Sequence, residues 1–159
     1  MHDPTTDERL CLLFDALAEL MPADQRIAPP DRSDRFELRF DVDANEIRLI
    51  CTLDATPPRI TVACTLGPVP DHDRGLALRQ LLRLNLMTAW TGTGMGCDPV
   101  TQRLYALNTF ALDDATPRRL HNTVHALIQW AEQWREDPGL AHLQPRSDRD
   151  SPLEPLALA

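Results

Sequence analysis

The chain contains no lysine, and all 16 of its basic residues are arginine. A phosphate-binding P-loop needs Gly-Lys-Ser/Thr before a helix, so that motif is excluded. The arginines show no phosphate-binding cluster, and their exclusive use fits a GC-rich genome. Against 24 acidic residues they leave a formal net charge of −8. Such a charge disfavours nucleic acid and anionic membrane surfaces and favours a basic partner. No apolar run approaches the roughly 20 residues of a membrane span. The polar, acidic opening MHDPTTDERL is no signal peptide, so a cytoplasmic location without membrane insertion is expected. Cys11, Cys51, Cys64 and Cys97 form neither a CxxC pair nor a Cys/His ligand pattern. They read as reduced core residues rather than a disulfide framework or metal site. No serine or cysteine occupies a nucleophile elbow.

What is present is one domain's worth of periodic sequence, 159 residues with 43% apolar content, long enough to bury a core without staples. Thr5 or Thr6 can cap a first helix whose Leu10, Leu13, Phe14, Leu17 and Met21 recur at helical spacing, with Cys11, Leu12 and Leu20 broadening the face. Pro22 and the APPDRSD segment end it. Phe36, Leu38, Phe40 and Val42 then alternate with charged residues. After an Asp43-Ala44-Asn45 turn come Ile47, Leu49, Cys51 and Leu53, then Ile60, Val62, Cys64 and Leu66, an antiparallel meander. Asp137 onward is rich in proline, aspartate and arginine, so the sequence divides into a domain over 1–136 and a flexible tail over 137–159.

The most organised stretch is Leu76–Phe110. A leucine-rich helix over about 73–87 puts Leu78, Leu81, Leu82 and Asn85 on one face, while Leu76, Leu84 and Met87 lie on others. A helix that apolar needs cover on more than one side. It leads into a hairpin, Thr91–Cys97 and Leu104–Phe110, around Asp98-Pro99-Val100-Thr101. Gly92, Gly94 and Gly96 do not make a dinucleotide loop, since the helix precedes the strand instead of following it; such glycines permit a bulge or close approach of another backbone. Thr116 and Pro117 start a last helix with the cleanest stripe in the chain: Leu120, Val124, Leu127, Ile128, Ala131 and Trp134. His121 and His125 sit four apart on it, but position 122 is asparagine rather than the glutamate of a zincin, so both read as solvated flank residues. His72 and Asp73 lie in a loop without an identifiable partner. Trp130 lies beside the stripe, and Trp90 suits an interface centre. The fold class expected is α+β: three helices on a mostly antiparallel, twisted sheet of about five strands, in the order α-β-β-β-α-β-β-α.

The segment LLRLNLMTAWTGTGMGCDPVTQRLYALNTF, with TPRRLHNTVHALIQWAEQW after it, resembles the CesT/Tir-type class I chaperones of bacterial type III secretion. The likeness covers residues 5–135 and leaves the tail unassigned. It implies a homodimer in which the second helix and the strand after it supply the subunit contact: Leu81, Leu84, Leu86, Trp90, Thr93 and Met95. It also implies that an effector's N-terminal segment wraps around the dimer, contributing short strands and apolar anchors. Leu12, Leu38, Phe40, Leu107 and Phe110 are the positions it points to. The resemblance implies no enzyme activity, cofactor or metal. The secretion ATPase is a further candidate partner, and a multi-effector member is one form the protein could take. A dimeric adaptor of the same fold outside secretion, and a small histidine-dependent enzyme, are the alternatives.

Overall fold

Alternation and a tight turn together build the first hairpin. The computed structural model describes residues 4–20, 35–71 and 74–137, with the side chains of 4–7 and 20 not described. Strands β1 (Arg35–Val42) and β2 (Asn45–Thr52) pair antiparallel. Asp43 and Ala44 link them, at φ of 50° and 62°, the two left-handed residues of a type I′ turn. Asn45, expected in the turn, is instead the first residue of β2. It is buried, its Nδ2 donates to the Asp43 carbonyl at 3.0 Å, and its Oδ1 accepts from Arg135.

β3 (Arg59–Pro68) completes the meander. The chain then runs through α2 (Arg74–Thr88), a 3₁₀ turn (Ala89–Thr91), β4 (Thr93–Cys97) and β5 (Arg103–Ala111). β5 pairs with β3, which pushes β4 outward and gives the order β1-β2-β3-β5-β4, antiparallel throughout. Asp98 holds the β4–β5 turn: its Oδ1 accepts N–H bonds from Val100 at 2.8 Å and Thr101 at 3.4 Å. The Val100 bond is the main cause holding its carboxyl below the usual carboxylate value. A second 3₁₀ turn (Leu112–Asp114) leads to α3 (Pro117–Glu136). Thr116 caps α3 by accepting the Arg119 N–H at 3.2 Å, with proline in the first turn as expected. Among the described residues, the expected three helices, five strands and element order are therefore the ones observed.

α1 (Pro4–Leu20) packs against α3, which lies chiefly over β3. α1 begins before the two threonines expected to cap it, whose side chains lie outside the described residues. So do Met21, the linker through residue 34, His72 with Asp73, and the tail beyond Asp137. One continuous core fills the helix side of the sheet: Leu13 and Leu17 from α1, the alternating residues of all five strands, and the six-residue stripe of α3. Burial of each such leucine contributes about 2 kcal/mol or more. Cys11 sits on the solvent side of α1 and Cys97 at the end of an edge strand, so only Cys51 and Cys64 are core thiols, which corrects the expectation for the other two.

Burial disfavours the thiolate and pushes Cys51 up to about 12 and Cys64 up to about 11. A thiol reagent at pH 8 is therefore expected to titrate Cys11 and Cys97 in the native protein and all four cysteines in denaturant. Ala44→Gly should raise unfolding free energy by about 1 kcal/mol in chemical denaturation, because glycine adopts the left-handed conformation without steric cost.

Candidate protein-binding surfaces

Leucines surround α2, so composition does not choose the face that turns inward. In the fold that face is Ala77, Gln80, Leu81 and Leu84. Leu82 and Asn85, expected to share one face with Leu78 and Leu81, are placed differently from Leu81. Leu82 points to solvent, and Asn85 turns toward β4. The physical reason is a set of polar bonds that fixes the rotation of the helix. Asn85 Nδ2 donates to the Met95 carbonyl at 2.9 Å, and its Oδ1 accepts the Met95 N–H at 2.6 Å. Thr88 Oγ1 lies 2.9 Å from both the Leu84 and Thr93 carbonyls, sharing one hydrogen between them. A β-carbon at Gly94 would stand in ordinary contact, 3.9 Å from Asn85 Oδ1 and 3.6 Å from Leu107, so Asn85 reaches β4 without requiring the glycine. Within the subunit, the group that comes against the outer side of this strand is the Asn85 side chain.

With that rotation set, α2 and the turn after it present Leu82, Leu86, Met87 and Trp90 outward, at 69%, 71%, 57% and 83% exposure. Positions 82, 86 and 90 are four apart, and single exposed leucines need no explanation whereas a row of large apolar groups marks a contact surface. Of the residues expected at a subunit seam, Leu86 and Trp90 lie on this row. Leu81, Leu84 and Met95 lie in the chain's own core, and Thr93 is half-buried.

A second surface surrounds β1. Among the described residues no strand pairs with its outer side. Val42 opposite Asn45 closes the hairpin, so alternation turns the main-chain groups of Glu37 and Arg39 away from β2. Beside this edge, Phe14 of α1 stacks on Phe36 with ring centroids 6.0 Å apart. Leu12 stands exposed on α1. Leu38 and Phe40 lie under the helices, and Phe110 lies in the core beneath the Arg119 guanidinium, 4.7 Å from its ring centroid. Leu107 is half-buried on the opposite sheet face. The expected effector contacts are thus not brought together as side chains: Leu12 and Leu107 are accessible, the other three are packed.

A third feature is a groove of about 370 Å³ between α3 and the β4–β5 hairpin, with Trp130 and Leu127 against Thr93 and Asn108, and Arg118 and Arg119 at its lip. On the far side of α3, the Nε2 atoms of His121 and His125 lie 3.1 Å apart. No group of three or more metal-ligating side chains occurs among the described residues. None of the described helices is long and apolar enough to cross a membrane.

Residues 29–135 match the family model for the Tir chaperone protein (CesT) family. The chain belongs to that family. No curated protein sequence matches it. Among solved structures, this CesT-family chain is similar to a chain of the HopA1–SchA chaperone–effector complex, at 21% identity and a TM-score of 0.60, covering 86% of this chain and 99% of that one. It is also similar to a chain of the ExsC–ExsE complex, at 17% identity and a TM-score of 0.63, covering 88% and 99%. The Yersinia pestis type III secretion chaperone SycH, in complex with a fragment of YscM2, gives 13% identity and a TM-score of 0.54, covering 76% and 95%. At these identities the structural likeness speaks for a shared fold. What the sequence did not reveal is the part played by Asn85. Its signal was the one asparagine among the leucines of the helix, ten residues before a glycine-flanked methionine.

Proposed function

We propose that this CesT-family chain is a cytoplasmic type III secretion chaperone that binds the N-terminal segment of one or more effector proteins and keeps it extended and soluble for export. The observation that carries this is membership of the family across residues 29–135, the whole sheet with α2 and all but the last residue of α3. The complexes it resembles pair a chaperone with an effector, or the chaperone SycH with a fragment of YscM2, which supports a protein client here. Holding of this type needs binding surface rather than a reaction, so no cofactor, metal or ATP enters.

The functional unit is a homodimer whose seam is the outward row of Leu82, Leu86, Met87 and Trp90. A partner row laid against it removes large apolar groups from water at roughly 25 cal/mol per Å². The client's extended segment lies along β1 and over α1, where main-chain groups and the Phe14–Phe36 shoulder offer strand pairing and apolar anchorage. The net charge of −8 draws arginine- or lysine-bearing segments and speeds encounter. Residues 1–136 form the chaperone domain on this reading, and 137–159 a separate tail.

Light scattering after gel filtration should give twice the chain mass for the wild type. Combining Leu86→Glu with Trp90→Ala should give a folded monomer at micromolar concentration, with circular dichroism unchanged. A wild-type monomer would sink the dimer, and an undisturbed double variant would place the seam elsewhere. For the function itself, purification from the native host should bring down an intact protein bound through its N-terminal segment; loss of that co-purification in the Leu12→Asp variant would mark α1 as part of the site.

A further inference from the structure

The sheet has two edges, and they are not equivalent. On β4, alternation from the Thr109 N–H to Gly92 carbonyl bond and the Asp98 N–H to Arg103 carbonyl bond turns residues 92, 94, 96 and 98 toward β5. Thr93 and Met95 therefore direct their main-chain groups outward, where a neighbouring strand would pair. All four of these groups are already taken. The Met95 N–H and carbonyl bond Asn85 at 2.6 and 2.9 Å. The Thr93 carbonyl accepts from Thr88 Oγ1 at 2.9 Å, and its N–H donates to Thr91 Oγ1 at 3.4 Å. Only Cys97 lies beyond these bonds, too little for a strand.

We infer that Asn85, with Thr88 and Thr91, is a plug for the β4 edge that confines capture of an extended client segment to the β1 edge. A primary amide presents an N–H donor and a carbonyl acceptor side by side, as one residue of a strand presents its own N–H and carbonyl to a partner strand. Asn85 thereby reproduces on Met95 the two bonds an incoming strand would make, without being a strand. Leucine or alanine at 85 would keep the helix but leave that edge open. The inference rests on the client-binding reading above for what is captured, whereas the plug itself is a property of the chain alone.

Two measurements on the full chain separate these. In native-state amide exchange, Met95 should be protected in the wild type and exchange at least about tenfold faster in Asn85→Ala, the size of effect expected for one lost hydrogen bond. Amides of α3 should be unchanged in the same sample. If Asn85→Ala does not fold, Asn85→Ser serves, since its short side chain cannot bridge both groups. Equal Met95 exchange in wild type and variant overturns the plug. The second probe is a synthetic 12-residue peptide alternating valine with threonine and arginine and carrying a photo-crosslinker, its adducts mapped by mass spectrometry. Adducts confined to residues 35–42 in the wild type, and appearing also on 93–97 in the variant, support the inference. Adducts on β4 in the wild type overturn it. A peptide that attaches to neither edge in either protein counts against client capture by strand pairing, while Met95 exchange still decides on the plug.

Discussion

The structure depends on one constraint: the sheet is apolar on a single face, and α3 must cover it. Val124, Leu127, Ile128 and Ala131 are all buried over β3 and its neighbours. Once α3 is seated, α1 is held by Leu13 and Leu17 packing into the same core. The opposite face then tolerates the charged residues that alternate along β1 and β2. There Arg48 reaches the Glu46 carboxylate at 2.8 Å and lies 4.7 Å from the Tyr105 ring centroid. Arg48 and Glu46 are only partly exposed, and Ala63 and Tyr105 are buried on the same face, so its charged side chains lie chiefly along β1 and β2.

α2 obeys a different rule. It does not cover the middle of the sheet but closes its end, so apolar packing alone cannot decide its rotation. The decision falls to Asn85 and Thr88, whose partners on β4 are main-chain groups and thus independent of the strand's side chains. A helix held by polar bonds on one side can keep leucines on the other. That explains why a chain with an ordinary apolar fraction exposes Leu82, Leu86 and Trp90 together.

This division also sets what was legible in the sequence. The α3 stripe was read residue for residue, because six apolar positions at helical spacing stand against polar neighbours. The strands were read from alternation, to within two residues at their ends. α2 was read as a helix but not as a face, since leucine at 76, 78, 81, 82, 84 and 86 satisfies several rotations equally. The same ambiguity spread to the candidate site. Leu81, Leu84 and Met95 carried the right chemistry for a seam, yet they are core in the folded chain. Leu38, Phe40 and Phe110 alternate correctly for a half-buried sheet, and alternation does not say which half is covered. The role of Asn85 depends on a contact across a turn, which no periodicity encodes.

The inequality of the two edges has a further consequence, one of valency. A sheet open on both sides can take a strand at each, and copies can chain without end. With the outer main-chain groups of Thr93 and Met95 on β4 already bonded, the described residues leave β1 as the one edge free for a strand partner. Strand pairing then terminates after a single addition, and the product is a finite complex rather than a growing filament. On the proposed reading, in which an extended client pairs with that edge, the limit keeps binding from becoming aggregation.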